Sequence, residues 1–248
     1  MIPEIARLVR SMLAGDKQSL ARLISLAEDD SPYFPEILEM LRTHLGKSYC
    51  IGITGPPGAG KSTLIDRLAA TIRSRGLSVG IIVVDPSSPV SGGAVLGDRV
   101  RMQRHYLDDG VFIRSMATRG SHGGLSSGVQ AAASLLDASG RDIIIIETVG
   151  VGQTELGISG IADTVVLVLV PESGDEIQAM KAGIVEIADI IVVNKADREG
   201  AERLAEQLRA ALVPGGAKAA PPVIITQAIN DIGIEELYQA IEKQHKNR

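Results

Sequence analysis

From residue 49 onward the chain repeats one pattern: a short apolar run, then a stretch long enough for a helix. Ile143–Ile146 reads IIII and Val165–Val170 reads VVLVLV. A strand with one wet face alternates polar and apolar residues, so runs without a polar position belong in a sheet covered on both faces. The full set is Tyr49–Thr54, Val79–Val84, Val111–Ser115, Ile143–Ile146, Val165–Val170, Ile190–Val193 and Val223–Thr226. Helix-length stretches lie between most of them, at Ser62–Arg75, Gly128–Ala138, Glu176–Ile187 and Arg198–Leu212. This alternation predicts an α/β fold, a doubly wound and mostly parallel sheet of about seven strands. Such sheets bind ligands at the carboxyl ends of their strands. With six aromatics in 248 residues, the core has to be built from Ile, Val, Leu and Ala.

Residues 1–46 read differently. Ile5, Leu8, Val9, Met12 and Leu13 share one helical stripe, and Leu20, Leu23, Ile24 and Ala27 share a second. Gly15-Asp16 separates them, Asp30-Ser31-Pro32 stops the second, and Ile37, Leu38, Leu41 and Leu45 form a third stripe ending at Gly46. We therefore expect an N-terminal helical extension over 1–46 and the α/β domain over 47–248.

Charge and composition exclude several functions. A net charge of −5 and few rings argue against a nucleic-acid binder. The lone Cys50 excludes a disulfide framework or a multi-cysteine zinc site, and reads as a small buried hydrophobe. The four histidines are scattered without metal-ligand spacing. No apolar run approaches a membrane span and the start lacks a signal-peptide pattern, so the expected address is the cytoplasm, with no membrane partner.

Three constellations carry chemistry. Gly55-Pro56-Pro57-Gly58-Ala59-Gly60-Lys61-Ser62 matches G-x-x-x-x-G-K-[ST]. Its glycines let backbone N–H groups curl around a phosphate, Lys61 reaches the β- and γ-phosphates, and Ser62 ligates magnesium. The helix that begins there, with Thr63 in its first turn, presents its positive end. With 27 Gly, 8 Lys and 28 Ser plus Thr, about 0.01 chance matches are expected, so a decorative turn is remote.

The second is Asn194-Lys195-Ala196-Asp197, directly after the run IIVV. A carboxylate there accepts hydrogen bonds from both N1–H and the exocyclic amine of guanine, whereas adenine leaves it desolvated and unsatisfied. Asn194 and Lys195 would brace the loop and the ring. The ordinary alternative is a helix cap at Asp197. About 0.006 chance matches are expected for the four-residue pattern, and its place at a later strand end favours guanine.

Third, Asp85 and Glu147 end apolar runs and Asp98 lies in the long loop 85–99, all well placed for magnesium. Glu147-Thr148-Val149-Gly150 has the acid-to-glycine spacing by which GTPases sense a γ-phosphate. The residue after that glycine is Val151 rather than a water-orienting glutamine, and Gln153 lies two further on, so slow intrinsic hydrolysis is expected. Arg99, Arg101 and Arg119, in or beside the Gly/Ser-rich loops 85–99 and 117–128, are candidate suppliers of transition-state charge.

The blocks LAGDKQSLARLISLAEDD, IGITGPPGAGKSTLIDRLA, VVDPSSPVSGGAVLGDRVRM, IRSMATRGSHGGLSSG, ETVGVGQTE, PESGDEIQAMKAGIVEIAD and VVNKAD fall within residues 13–200. Together they resemble the MeaB/ArgK family, bacterial relatives of the human methylmalonic aciduria type A protein. The resemblance implies a P-loop NTPase fold and a GTPase that binds GTP/GDP and Mg. It further implies a chaperone of an adenosylcobalamin-dependent acyl-CoA mutase, especially methylmalonyl-CoA mutase, coupling GTP turnover to cofactor loading, protection and reactivation. A cobalamin adenosyltransferase is a second implied partner. By motif match, Lys61, Asp98 and Glu147 are the catalytic positions, and Ser62, Asp85, Asp98 and Glu147 surround the metal. Gly55, Pro57, Gly58, Ala59, Gly60, Lys61, Ser62, Thr63, Gly150, Asn194, Lys195, Asp197 and Ala228 hold the nucleotide, the N–H of Ala228 meeting the guanine carbonyl. Residues 171–181 match a partner-responsive loop with Gln178 and Lys181 as polar contacts.

Members of the family continue into a long helical arm that builds a dimer, and this chain's last residue is Arg248, so the expectation of a homodimer stays open. The loop Thr226-Gln227-Ala228 also departs from the family's usual Ser-Ala. Three rivals remain at this stage. They are a metal-insertion GTPase, a small-molecule P-loop kinase of an arginine/ornithine transport system, and a GTP-binding module that hardly hydrolyses.

Overall fold

The computed structural model describes residues 3–29, 31–85, 102–117, 127–148, 157–173, 184–212 and 220–247. Three helices come first: α1 (Pro3–Leu13), α2 (Lys17–Glu28) and α3 (Phe34–Leu41). The α/β part follows as β1 (Tyr49–Thr54), α4 (Lys61–Ser74), β2 (Val79–Asp85), β3 (Val111–Ala117), α5 (Ser127–Ala138), β4 (Ile143–Glu147) and β5 (Thr164–Leu169). It ends with α6 (Ile184–Ile187), β6 (Ile190–Val193), α7 (Ala201–Ala211), β7 (Val223–Ile225) and α8 (Ile234–Lys246).

The seven described strands form one sheet in the order β3-β2-β4-β1-β5-β6-β7, and every pairing is parallel. Strands β1, β2, β4, β5 and β6 are buried at every position, as expected of apolar runs covered on both faces. One face carries Ile51, Ile53, Ile81 and Val83 against α4 and α8. The other carries Ile82, Val84, Ile144 and Ile146 against α5, and the core there continues without a break into Ile5, Val9, Leu23, Ile24 and Ile37 of the N-terminal helices. Glu28 and Ser25 of α2 also hold Arg114 of β3. From β1 the chain moves to β2 and β3 on one side, and from β4 it passes to β5, β6 and β7 on the other, so the order reverses beside β1 and a crevice opens at its carboxyl end.

One boundary differs from expectation by more than two residues, and one expected helix is only partly described. Helix α7 starts at Ala201 rather than Arg198, because residues 195–198 turn on themselves (Arg198 N–H to the Lys195 carbonyl, 2.9 Å) and Gly200 at φ 91° provides the entry. Of the helix expected over Glu176–Ile187, the described part is Ile184–Ile187, and the remainder lies outside the described residues. No described helix is long and apolar enough to cross a membrane.

Candidate nucleotide site

At the carboxyl end of β1 the chain turns through the glycine loop into α4. Gly55 sits at φ 137°, and a Cβ there would stand 2.0 Å from the Val168 carbonyl oxygen on β5. Gly60 sits at φ 90°, where a Cβ would stand 2.4 Å from Asn194 Nδ2. Only glycine permits both the left-handed turn and the close approach. No side chain caps α4, so its first N–H groups remain available to an anion at the positive end of a 14-residue helix. Lys61 is buried and its Nζ donates to the carbonyls of Gly55 (2.7 Å) and Pro56 (3.1 Å), which holds the ammonium inside the loop.

The acids converge on the same mouth. Glu147 ends β4, in register with Ile53 of β1 and Val83 of β2, and Asp85 lies two residues beyond Val83. Both carboxylates are buried, and Ser62 Oγ donates to Glu147 Oε1 at 2.9 Å. Thr148 is fixed by its N–H to the Ile53 carbonyl (3.0 Å) and by its hydroxyl to Thr54 Oγ1 (2.9 Å). A cleft of about 490 Å³ opens over them, bounded by Gly58, Lys61, Ser62, Asp85, Glu147 and Lys195. Among the described residues no group of three His, Cys, Asp or Glu is placed to hold a metal ion by itself. A hydroxyl and two carboxylates are nonetheless the hard oxygen donors that suit magnesium, which keeps several waters and needs few protein ligands.

The second loop is tied to the first. Asn194, buried at the end of β6, donates from Nδ2 to the Ala59 carbonyl (2.8 Å), and its Oδ1 accepts from Thr226 Oγ1 (3.0 Å) and the Ala228 N–H (3.1 Å). That N–H was expected to meet the guanine carbonyl. In this structure it donates to Asn194 Oδ1. Lys195 adopts φ 60° and borders the cleft, and Asp197 is exposed on the turn that follows. Asp197 does not cap α7, whose cap position is Gly200.

Asp98, Gly150, Val151, Gln153, Arg99, Arg101, Arg119, Gln178 and Lys181 lie outside the described residues. Of the predicted site residues within them, the phosphate loop, Asp85, Glu147, Asn194, Lys195 and Ala228 share one end of the sheet. Sequence reading did not find the role of Thr226 as a partner of Asn194, since the two meet only once β6 and β7 pair side by side. Cys50 is buried as expected, and desolvation together with the carboxylates of Asp163 and Asp137 pushes its thiol up to about 12.

Comparison with known proteins agrees with this geometry. Residues 20–248 match the profile of the family described as methylmalonyl Co-A mutase-associated GTPase MeaB. A Pyrococcus abyssi protein named as a GTPase is 52% identical over 247 residues, 98% of this chain and 76% of that one. The mitochondrial methylmalonic aciduria type A homolog of Caenorhabditis elegans is 38% identical over 210 residues, 79% of this chain and 53% of the worm protein. A crystal structure described as a LAO/AO transport system kinase superposes with a TM-score of 0.80 at 27% identity, covering 99% of this chain and 76% of that one. With the fold, the glycine loop and these relatives in agreement, the chain belongs to the MeaB family of P-loop GTPases.

Proposed function

We propose that this chain hydrolyses GTP with magnesium and that its output is a conformational signal to an adenosylcobalamin-dependent acyl-CoA mutase. The observation that carries the nucleotide reading is Asn194. One side chain holds the phosphate loop by the Ala59 carbonyl and the base-side turn by Thr226 and Ala228, which sets the distance between phosphate and base recognition.

In this reading the N–H groups at the start of α4 and the Lys61 ammonium bind the phosphates. Lys61 leaves the carbonyls of Gly55 and Pro56 to do so. Ser62, Asp85, Glu147 and Asp98 would hold magnesium directly or through water. When bound, the ion neutralises charge that develops on the phosphates. Asp197 reads guanine through N1–H and the exocyclic amine, and the desolvation penalty against adenine supplies the selectivity. Val151 in place of a glutamine leaves the attacking water without its usual guide, so turnover waits for a partner.

The mutase reading is supported by the family description and the methylmalonic aciduria relative. Cofactor loading and reactivation are the proposed use of the signal, and residues 171–181 the proposed partner loop. The test is hydrolysis of GTP and ATP, with and without methylmalonyl-CoA mutase and its cofactor. GTP use stimulated by the mutase is expected. Equal use of ATP, or phosphate transfer to arginine or ornithine, overturns the proposal in favour of a kinase. Asp197→Asn should move preference from GTP to XTP, and an unchanged GTP affinity in that variant sinks the guanine assignment.

A further inference from the structure

The turns that follow β5 and β6 leave the sheet side by side, because Leu169 and Val193 are paired in register at its carboxyl end. The turn after β6 carries Asp197, whose carboxylate forms no hydrogen bond or ion pair among the described residues. Its neighbours in sequence include two cations, Lys195 and Arg198, and the Arg198 N–H donates to the Lys195 carbonyl at 2.9 Å to close the turn. A guanidinium on a long, half-exposed side chain beside a bare carboxylate would ordinarily pair with it. Here it does not. Arg198 Nη1 donates instead to Oε1 of Glu172, on the one-turn helix Pro171–Ser173 that follows β5.

Glu172 is held where it can accept that bond. Ser173 is buried, its N–H donates to the Val170 carbonyl (2.9 Å) and its hydroxyl accepts from the Val170 N–H (3.3 Å). Gly200 ends the facing turn at φ 91°, where a Cβ would stand 3.9 Å from Pro171 Cβ, so the two turns lie against each other. The Glu172 carboxyl is held below the usual carboxylate range, first by its hydrogen bond from Arg198 and also by the charges of Arg198 and Lys195. Both partners are about half exposed, and such a pair adds little to folding stability. What it decides is which acid Arg198 serves.

We infer that Glu172 is a positioning residue for base recognition: it draws the Arg198 guanidinium away from Asp197 and keeps that carboxylate unpaired for the two guanine protons. This rests on the guanine reading of Asp197 above. Without Glu172, Arg198 turns to Asp197. Guanine then competes with a guanidinium for the same oxygens, whereas adenine no longer leaves a bare carboxylate behind. The two bases are affected in opposite directions, which a merely loosened turn cannot produce.

The test is titration of the full chain with GDP, and with ADP by competition against GDP. Glu172→Ala should weaken GDP binding about threefold to fivefold and strengthen ADP binding by a similar factor, the range set by an exposed ion pair. Both changes should shrink at about 0.5 M salt. Arg198→Ala alone should leave both affinities within about twofold, and added to Glu172→Ala it should restore GDP binding to within about twofold of the wild type. Glu172→Gln, which keeps an acceptor oxygen without the charge, should fall between. A structural strap gives another pattern: Glu172→Ala and Arg198→Ala each weaken GDP and ADP together, and the double variant is no better. That pattern, or a Glu172→Ala protein that binds both nucleotides as the wild type does, overturns the inference and leaves the guanine reading standing. If Asp197→Asn leaves GDP affinity unchanged, or the wild type prefers neither nucleotide, the guanine reading itself fails and the inference falls with it.

Discussion

The two ends of the sheet use the same residue type for opposite purposes. At the amino ends, aspartates close the fold. Asp137 accepts from the backbone N–H groups of Gly46, Lys47 and Ser48, and Asp163 from Cys50 (2.8 Å). Asp142 takes the Ser78 amide (2.7 Å) and Asp189 the Val165 amide (3.0 Å). Asp108 forms a two-pronged pair with Arg73, both contacts 2.9 Å. At the carboxyl ends, Asp85 and Glu147 border a cleft beside a helix start that has no capping side chain. The difference follows from strand direction. Chains entering parallel strands present amide donors that a carboxylate satisfies. Chains leaving them run into helix N-termini, which are donors already and suit a ligand's anion. An acid's position relative to the strand therefore separates structure from chemistry.

Substitutions at the two ends should fail in different ways. The largest effect belongs to the carboxyl end: Lys61→Ala should weaken GTP binding by about two orders of magnitude or more, with little change in the thermal midpoint. A comparable loss of stability in that variant breaks the comparison. Asp137→Ala should show the reverse, costing about 1–3 kcal/mol in denaturant titration while kcat is retained.

Cys50 sharpens the contrast through pH. Its thiol is raised in the folded protein to about 12, so the neutral form is favoured and stability is intact below the ordinary thiol value. Stability should drain as pH climbs from there toward 12, and Cys50→Ala should flatten that alkaline limb. Iodoacetamide should leave the folded protein unlabelled near neutrality and label it in urea. The smallest effect is at Asp108, whose carboxyl is held below the usual range first by its hydrogen bond to Arg73. A lowered value stabilises above the ordinary carboxylate range, and the contribution disappears as pH falls through the folded value. Asp108→Asn should therefore lessen acid destabilisation, modestly, because both side chains are partly exposed.

Features that repeat locally or follow a fixed spacing were legible in the sequence. Runs such as Ile143–Ile146 announce burial on both faces, and the glycine loop announces itself because each glycine answers a backbone demand. Asn194-Lys195-Ala196-Asp197 was legible as a loop signature, but its anchoring was not. Ala59 is far from Asn194 and Thr226 in the chain, and the three meet only when the sheet brings the ends of β1, β6 and β7 together. The late start of α7 escaped for a related reason: Arg198 and Glu199 have good helix propensity, and the turn after Lys195 overrides it.

The strand order also fixes when in the life of the chain the site comes into existence. Tyr49 of β1 pairs with Ile143, and Ile51 with Thr164, so the strand that launches the glycine loop has no partner close to it in sequence. A ribosome making this polypeptide releases the phosphate loop long before β4 and β5 emerge to flank it, and long before Asn194 exists to hold it. Closing such long loops is slow compared with forming a hairpin. Nucleotide recognition is thus among the last properties this chain acquires during synthesis, and a nucleotide in the surrounding solution would reward only molecules that have finished folding.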